Sequence, residues 1–303
     1  MTTLALLTQD NQSYRERLTS LALPQLELID APQHADIWLA DPNLAAEQLQ
    51  QLPPPKWLAC TYAGVNALLN AKLPQGYQLT HIKGVFGQPM AEYLFGTLLS
   101  YRRRLQDYHL QQQQRLWQAH GYQSLEGQTM VILGTGDIGQ ILAKLARAFG
   151  MNTLGVSQSG RANNQFDQVL SADQLLHALP RADVLVSILP NTEATNNLLN
   201  HQTLSLLPAN SVLINVGRGN VVDEAALIDA LDHHQLAHAI LDVFNEEPLP
   251  SAHPFWSHPN ITITPHVAAV SQPGIIVRQF AHNYEKFIKN QNLDNLFDWR
   301  KGY

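Results

Sequence analysis

Thr129-Met130-Val131-Ile132-Leu133-Gly134-Thr135-Gly136-Asp137-Ile138-Gly139 is the stretch on which the fold turns. A short apolar run suited to a buried strand is followed by glycines at the spacing G-x-G-x-x-G, and residues 137–149 then carry apolar side chains at helical period. Gly134 permits the tight turn. Gly136 has no Cβ, so a pyrophosphate can approach the backbone, and Gly139 lets helix and strand pack closely. The helix N-terminus presents free N–H groups and a positive dipole end to phosphate. Strand, glycine loop and helix in that order predict a dinucleotide site built by Gly134, Thr135, Gly136, Asp137, Ile138 and Gly139.

Outward from this stretch the alternation continues. Strands are expected near 152–156, 183–188, 211–216, 238–243 and 261–264, and helices near 171–178, 201–206 and 223–231. With 129–133 this makes the six strands of a dinucleotide-binding doubly wound sheet. Upstream, Leu4-Ala5-Leu6-Leu7, Ile37-Trp38-Leu39-Ala40 and Lys56-Trp57-Leu58-Ala59-Cys60 read as buried strands. Helices are expected between them near 11–20, 43–50 and 65–71, so a second parallel α/β sheet follows. Residues 88 to about 117 read as one long helix, with Arg102-Arg103-Arg104 on a solvated face and Gln111 to Gln114 exposed. A helix over 274–290 returns to the first domain. The expected division is a substrate domain of residues 1–97 plus 275–303 and a dinucleotide domain of residues 98–274.

The chain's 303 residues and 33.8 kDa suit two domains. An apolar fraction of 45% with 15% charged residues is that of a globular protein. A net charge of −6 supplies no electrostatic basis for nucleic-acid binding. Cys60 is the single cysteine, which excludes an intrachain disulfide and a paired-thiol zinc site and favours a reducing compartment. No apolar run is long enough for a membrane span. The opening MTTLALLTQD lacks a basic n-region and reaches Asp10 too early for a secretory signal, so a cytoplasmic location is expected. His234 and His238 are four apart, but Ala237 to Val243 reads as a strand, and no HExxH pattern occurs. No metal is expected.

The end of the second strand of the dinucleotide fold selects the cofactor. A carboxylate there bonds the ribose 2′-OH of NAD and repels a 2′-phosphate. Eighteen residues beyond Gly139 stands Ser157, within Val156-Ser157-Gln158-Ser159-Gly160-Arg161. The segment holds hydroxyls, an amide and an arginine but no acid. Ser157, Gln158, Ser159 and Arg161 therefore favour NADP, with NAD as the alternative.

Three further segments end strands of the same domain: Ile214-Asn215-Val216-Gly217-Arg218-Gly219, Leu241-Asp242-Val243-Phe244-Asn245-Glu246-Glu247-Pro248-Leu249-Pro250, and Thr262-Ile263-Thr264-Pro265-His266-Val267-Ala268-Ala269. Ligands of open α/β sheets bind beyond the carboxyl ends of the strands. Reduction of a 2-oxo acid needs a hydride at the carbonyl carbon and a proton at its oxygen. His266 as imidazolium supplies that proton. Glu247 beside it favours the charged ring. Arg218 clamps a carboxylate with parallel N–H bonds, a fork lysine lacks.

These segments, in this order, resemble the D-isomer-specific 2-hydroxyacid dehydrogenases, and the resemblance covers most of the chain. It implies a flavodoxin-like substrate domain, a Rossmann NAD(P)-binding domain and a homodimer. It implies catalysis by Arg218, Glu247 and His266, and a nicotinamide contact at Asp242. Leu189-Pro190-Asn191-Thr192-Glu193-Ala194-Thr195 resembles the family's cofactor loop, so Leu189, Pro190 and Thr195, with Val216, join the cofactor residues. Tyr62-Ala63-Gly64-Val65-Asn66 resembles the loop whose backbone amides bind substrate, which assigns Ala63 and Gly64 together with Arg218 and His266 to the substrate. The family commonly has Gly-Ala-Gly-Val-Asp there; Tyr62 and Asn66 depart from it. Glu92 matches a linker-helix acid with a structural role. Trp256, the ending His266-Val267-Ala268-Ala269-Val270-Ser271 and the Ser-x-Ser at 157–159 look most like the glyoxylate/hydroxypyruvate reductase branch, in which an arginine often stands where this chain has Gln158. Two other readings are a nucleotide-sensing module with little turnover and a short 3-phosphoglycerate dehydrogenase. The intact Arg218, Glu247 and His266 set argues against the first. The second calls for extra cations near the substrate that the sequence does not identify.

Overall fold

The computed structural model describes residues 1–299. They form two compact units, Met1–Val85 with the segment that begins at Ser271, and Phe86–Val270. These breaks precede the positions 97/98 and 274/275 read from the sequence.

The first unit contains β1 (Thr2–Leu7), α1 (Asn11–Leu21), β2 (Leu26–Leu28), β3 (Ile37–Ala40), α2 (Pro42–Leu49), β4 (Trp57–Cys60) and β5 (Gln78–Thr80). Its strands are all parallel in the order β2-β1-β3-β4-β5, the doubly wound order of flavodoxin-like sheets. β3 and β4 are buried throughout, which is why both read as unbroken apolar runs. The expected helix at 65–71 is instead a single 3-10 turn, Asn66–Leu69, because the chain becomes extended at Asn70.

The second unit starts with α3 (Gly87–Arg102) and α4 (Leu105–Gln114). The single long helix expected here is broken, because Arg104 takes a left-handed conformation with φ +56°. Arg102 is also not solvated: it is 5% exposed, and its guanidinium donates to Gln123 and to the carbonyl of Asp183 at 3.2 Å. Arg103 lies over the Tyr122 ring at 4.1 Å.

The sheet follows as β6 (Thr129–Leu133), α5 (Asp137–Ala148), β7 (Asn152–Ser157), β8 (Gln168–Ser171), α6 (Leu175–Ala178), β9 (Val184–Ser187), α7 (His201–Leu204), β10 (Val212–Asn215), α8 (Glu224–Asp232), β11 (His238–Leu241) and β12 (Ile261–Ile263). The order β12-β11-β10-β9-β6-β7-β8 is parallel throughout and reverses direction between β6 and β9. It has seven strands rather than six, the additional one being β8. Both faces are covered: Met130 and Ile132 point to a layer with Leu94, Leu98 and Leu142, while Val131 and Leu133 point to Leu204, Leu227 and Leu231. The last helix, α9 (Pro273–Ile288), belongs to the first unit, where Phe280 stacks on Trp57 at 5.1 Å and the Tyr284 hydroxyl donates to the Pro24 carbonyl. Among the described residues no helix is long and apolar enough to cross a membrane.

Candidate active site

At the switch point between β6 and β9, Gly134 has φ +114°, and a Cβ there would lie 2.9 Å from Ile188 Cγ1. A Cβ on Gly139 would collide with the Gly134 carbonyl, whereas one on Gly136 would meet nothing within 4 Å. Gly134 and Gly139 thus answer to the protein's own packing, and Gly136 faces open space. α5 begins without a side-chain cap, so its first amides remain free for an anion. Thr135, Asp137 and Ile138 lie in this same turn, with Asp137 as the acid of the first helical turn.

β7 ends at Ser157, which pairs with Ser171 of β8. Its Oγ is buried and has no protein partner. Gln158, Ser159 and Arg161 follow in an exposed loop, where Ser159 Oγ accepts from the Arg161 amide at 3.3 Å. After β9, Leu189 and Pro190 lead into a turn closed by Thr195, whose hydroxyl donates to the Pro190 carbonyl at 2.7 Å. Val216 donates its amide to Ser187 at 3.1 Å, which joins the ends of β9 and β10. A free helix N-terminus, an unpaired buried hydroxyl and a loop without carboxylates suit an anionic dinucleotide.

The polar cluster is assembled from the ends of β10, β11 and β12. Asn215, 1% exposed, folds the turn after β10: its amide nitrogen donates to the Arg218 carbonyl at 2.9 Å and its oxygen accepts from the Gly217 amide. Glu247 accepts from the Phe244 amide at 2.9 Å through Oε1 and from His266 Nδ1 at 2.7 Å through Oε2. With Nδ1 donating to Glu247, Nε2 is the nitrogen left for a reactant, and 52% of the His266 side chain is open to solvent.

The electrostatics follow from this geometry. The hydrogen bond to Glu247 raises the His266 pKa above the ordinary histidine value; burial and the Arg218 charge oppose the rise. Burial pushes the Glu247 carboxyl up, but its bonds to His266 and Phe244 and the charges of His266 and Arg218 outweigh this and hold it below the usual range. Burial draws Arg218 down, with Glu247 resisting. The arrangement is a cation beside a charge-stabilised imidazole whose free nitrogen can give or take a proton.

Asp242 has a structural task in this site. It is 1% exposed, and its carboxylate accepts from the Thr264 hydroxyl at 2.5 Å and from the Val267 and Ala268 amides at 2.9 Å each. Its carbonyl accepts the His266 amide at 2.9 Å. These bonds hold His266 at φ +54°, a left-handed conformation that side-chain-bearing residues avoid. Tyr93 of α3 completes the chain through the Thr264 hydroxyl. Sequence reasoning missed Asn215, Thr264 and Tyr93 as supports, although the first two stand inside the motifs it singled out.

In the first unit, Ala63 and Gly64 lie in the loop after β4, with Tyr62 41% exposed. The Tyr62 carbonyl accepts from the Ile82 amide, and the Ala63 carbonyl accepts from His81 Nδ1 at 2.8 Å. Glu92 accepts from Gln88 one turn earlier on α3. His233 sits 3.1 Å from Asp229, while His238 is buried against the Tyr101 ring and is pulled by that burial to a pKa of about 4. Among the described residues no group of three or more metal-ligating side chains converges.

Comparison with known proteins agrees with this architecture. Residues 95–268 match the family model described as D-isomer specific 2-hydroxyacid dehydrogenase, NAD binding domain. Glyoxylate/hydroxypyruvate reductase A of Yersinia enterocolitica is 34% identical over 277 residues, covering 89% of this chain and 87% of that protein. The enzyme of the same name from Photorhabdus laumondii is 33% identical and covers 96% and 95%. Among solved structures, a D-isomer specific 2-hydroxyacid dehydrogenase family protein from Aeromonas salmonicida is 44% identical with a TM-score of 0.95, covering 98% of this chain and 99% of that one. The NADPH-dependent glyoxylate/hydroxypyruvate reductase of Sinorhizobium meliloti, solved with NADP and sulfate, is 27% identical with a TM-score of 0.86 and full coverage of both chains (100% each).

Proposed function

We propose a reaction for a chain that belongs to the D-isomer specific 2-hydroxyacid dehydrogenase family: NADPH-dependent reduction of a small 2-oxo acid of the glyoxylate or hydroxypyruvate type to the 2-hydroxy acid, of D configuration where a stereocentre forms. The observation that carries it is the 2.7 Å bond from His266 Nδ1 to Glu247, which leaves Nε2 free for a reactant and favours the charged ring. His266 donates from Nε2 to the carbonyl oxygen, Glu247 stabilises the imidazolium, and Arg218 pairs with the substrate carboxylate. The Ala63 and Gly64 amides add substrate contacts. When bound, the cofactor supplies the hydride. Gly134 to Gly139, Leu189, Pro190, Thr195, Val216 and the nearby Asp242 would hold its phosphates and nicotinamide, with Ser157, Gln158, Ser159 and Arg161 at the 2′-phosphate.

NADPH over NADH is favoured by the acid-free end of β7, and the Sinorhizobium meliloti relative holds NADP. The small-substrate reading draws on the names of the relatives. Steady-state oxidation of both cofactors with glyoxylate, hydroxypyruvate, pyruvate and an aromatic 2-oxo acid tests the proposal. The highest kcat/KM is expected for NADPH with the first two substrates. A preference for NADH overturns the cofactor assignment, and cofactor binding without turnover overturns the enzymatic one.

A homodimer is part of the same reading. Leu105, Leu110, Leu116 and the fully exposed Trp117 project from α4 and the segment after it, beside a surface groove of about 610 Å³ lined by Tyr108, Leu116 and Trp117 together with the polar Gln111, Gln112, Arg115 and Gln118. An apolar surface of this kind on one segment suits a second copy of the chain. Sedimentation equilibrium is expected to give twice the chain mass, and a monomer at micromolar concentration overturns the assignment.

A further inference from the structure

His81 takes no part in the reaction above, yet it is 8% exposed and its ring meets the loop after β4. Nδ1 lies 2.8 Å from the Ala63 carbonyl oxygen. A carbonyl only accepts, so Nδ1 carries the proton. Nε2 is buried with no protein partner. The residue itself is fixed: its amide donates to the Asn295 carbonyl at 3.2 Å, the next amide donates to Tyr62, and its ring stands edge-on to Phe297 at 6.1 Å. A ring with an unpaired buried nitrogen is a poor filler beside a phenylalanine of similar size. The polar contact that His81 does make goes to Ala63.

The Ala63 carbonyl and the Gly64 N–H belong to one trans peptide plane, so they point in opposite directions. Tying the oxygen inward to His81 therefore turns the Gly64 N–H away from His81. That N–H has no acceptor among the described residues. We propose that His81 is a positioning residue for substrate capture, holding the Ala63–Gly64 peptide so that the Gly64 N–H meets the carboxylate of a 2-oxo acid. The inference rests on the assignment of Ala63 and Gly64 as substrate contacts.

Three variants separate this role from packing. His81→Phe removes the donor, His81→Gln places one near the position of Nε2, and His81→Asn returns one near the position of Nδ1. His81→Phe and His81→Gln are expected to raise KM for glyoxylate about tenfold, the worth of one hydrogen bond to a charged group. KM for NADPH should stay unchanged, and His81→Asn should recover most of the loss. An asparagine variant no better than phenylalanine, or an unchanged glyoxylate KM in all three, overturns the proposal. A purely structural role would instead lower Tm and move both KM values together. Titration of the enzyme with oxamate, followed at the ¹⁵N amide resonance of Gly64, separates the two layers of the argument. A shift in the wild type that is lost in His81→Phe and regained in His81→Asn supports both. Equal shifts in the wild type and His81→Phe overturn the role of His81 alone. No shift in the wild type overturns the loop assignment, and the role of His81 with it.

Discussion

The glycine loop after β6 and the histidine loop after β12 follow strands of one sheet, yet they are made in opposite ways. The glycine loop works through atoms that are missing: no Cβ fits at Gly139, and open space stands where one would be at Gly136. The histidine loop works through atoms supplied from elsewhere, above all the Asp242 carboxylate that accepts from Thr264, Val267 and Ala268. In the roles proposed for them, the glycine loop as a phosphate cradle would be damaged by additions and the histidine loop as a proton-transfer loop by removals.

Removal at the histidine loop should have the largest effect. His266→Ala is expected to lower kcat by about 10²–10⁴-fold while the NADPH Kd, read by fluorescence titration, stays the same. Near-wild-type turnover would take the acid role away from His266. Asp242→Asn comes next. Its amide turns donors toward amides that need an acceptor, so urea unfolding should show a loss of about 2–4 kcal/mol. A loss below about 0.5 kcal/mol, within the scatter of ordinary surface changes, would break the anchoring argument.

Addition at the glycine loop should then divide two neighbouring positions. Gly136→Ala meets no protein atom within 4 Å, so Tm should hold while the NADPH Kd rises about tenfold. Gly139→Ala runs into the Gly134 carbonyl and should lower Tm as well. If both bind NADPH normally, the missing-atom account of this loop fails.

The smallest effect expected is a displacement in pH. With the imidazolium as the proposed acid and Glu247 raising the His266 pKa, reduction should be fast below that raised pKa and decline as pH rises through it. Glu247→Gln removes the charge that favours imidazolium and should move the falling limb to lower pH. A limb that stays in place would uncouple the two residues.

The sequence made the glycine loop legible because every contact that explains it is local. Gly134, Gly136 and Gly139 lie within one turn of each other and of the strand they follow. Arg218, Glu247 and His266 were legible as an ordered set, since parallel strands deliver their ends to one edge. The supports were not. Asp242 reaches partners 22 to 26 residues away, and nothing in their spacing marks a carboxylate as an anchor for backbone amides. Arg102 looked solvated because the acceptors that bury it, Gln123 and Asp183, stand 21 and 81 residues further on. β2, β5 and β8 escaped notice because they are three or four residues long; β2 and β8 are also half-exposed, so little apolar patterning survives in them. The break at Arg104 depends on one backbone angle that arginine does not favour.

The return of α9 to the first unit sets an order of events at the ribosome. Trp57 leaves the exit tunnel long before Phe280, the ring it stacks upon, has been translated. Between Val85 and Ser271 lie roughly 185 residues. At about 5–20 residues per second, the amino-terminal sheet waits on the order of ten to forty seconds with that side uncovered. The inserted unit is continuous in the chain and meets no such delay. The nascent first sheet is therefore the segment expected to engage chaperones during synthesis, and a slow-codon stretch placed before Pro273 would lengthen its exposure without altering a single side chain.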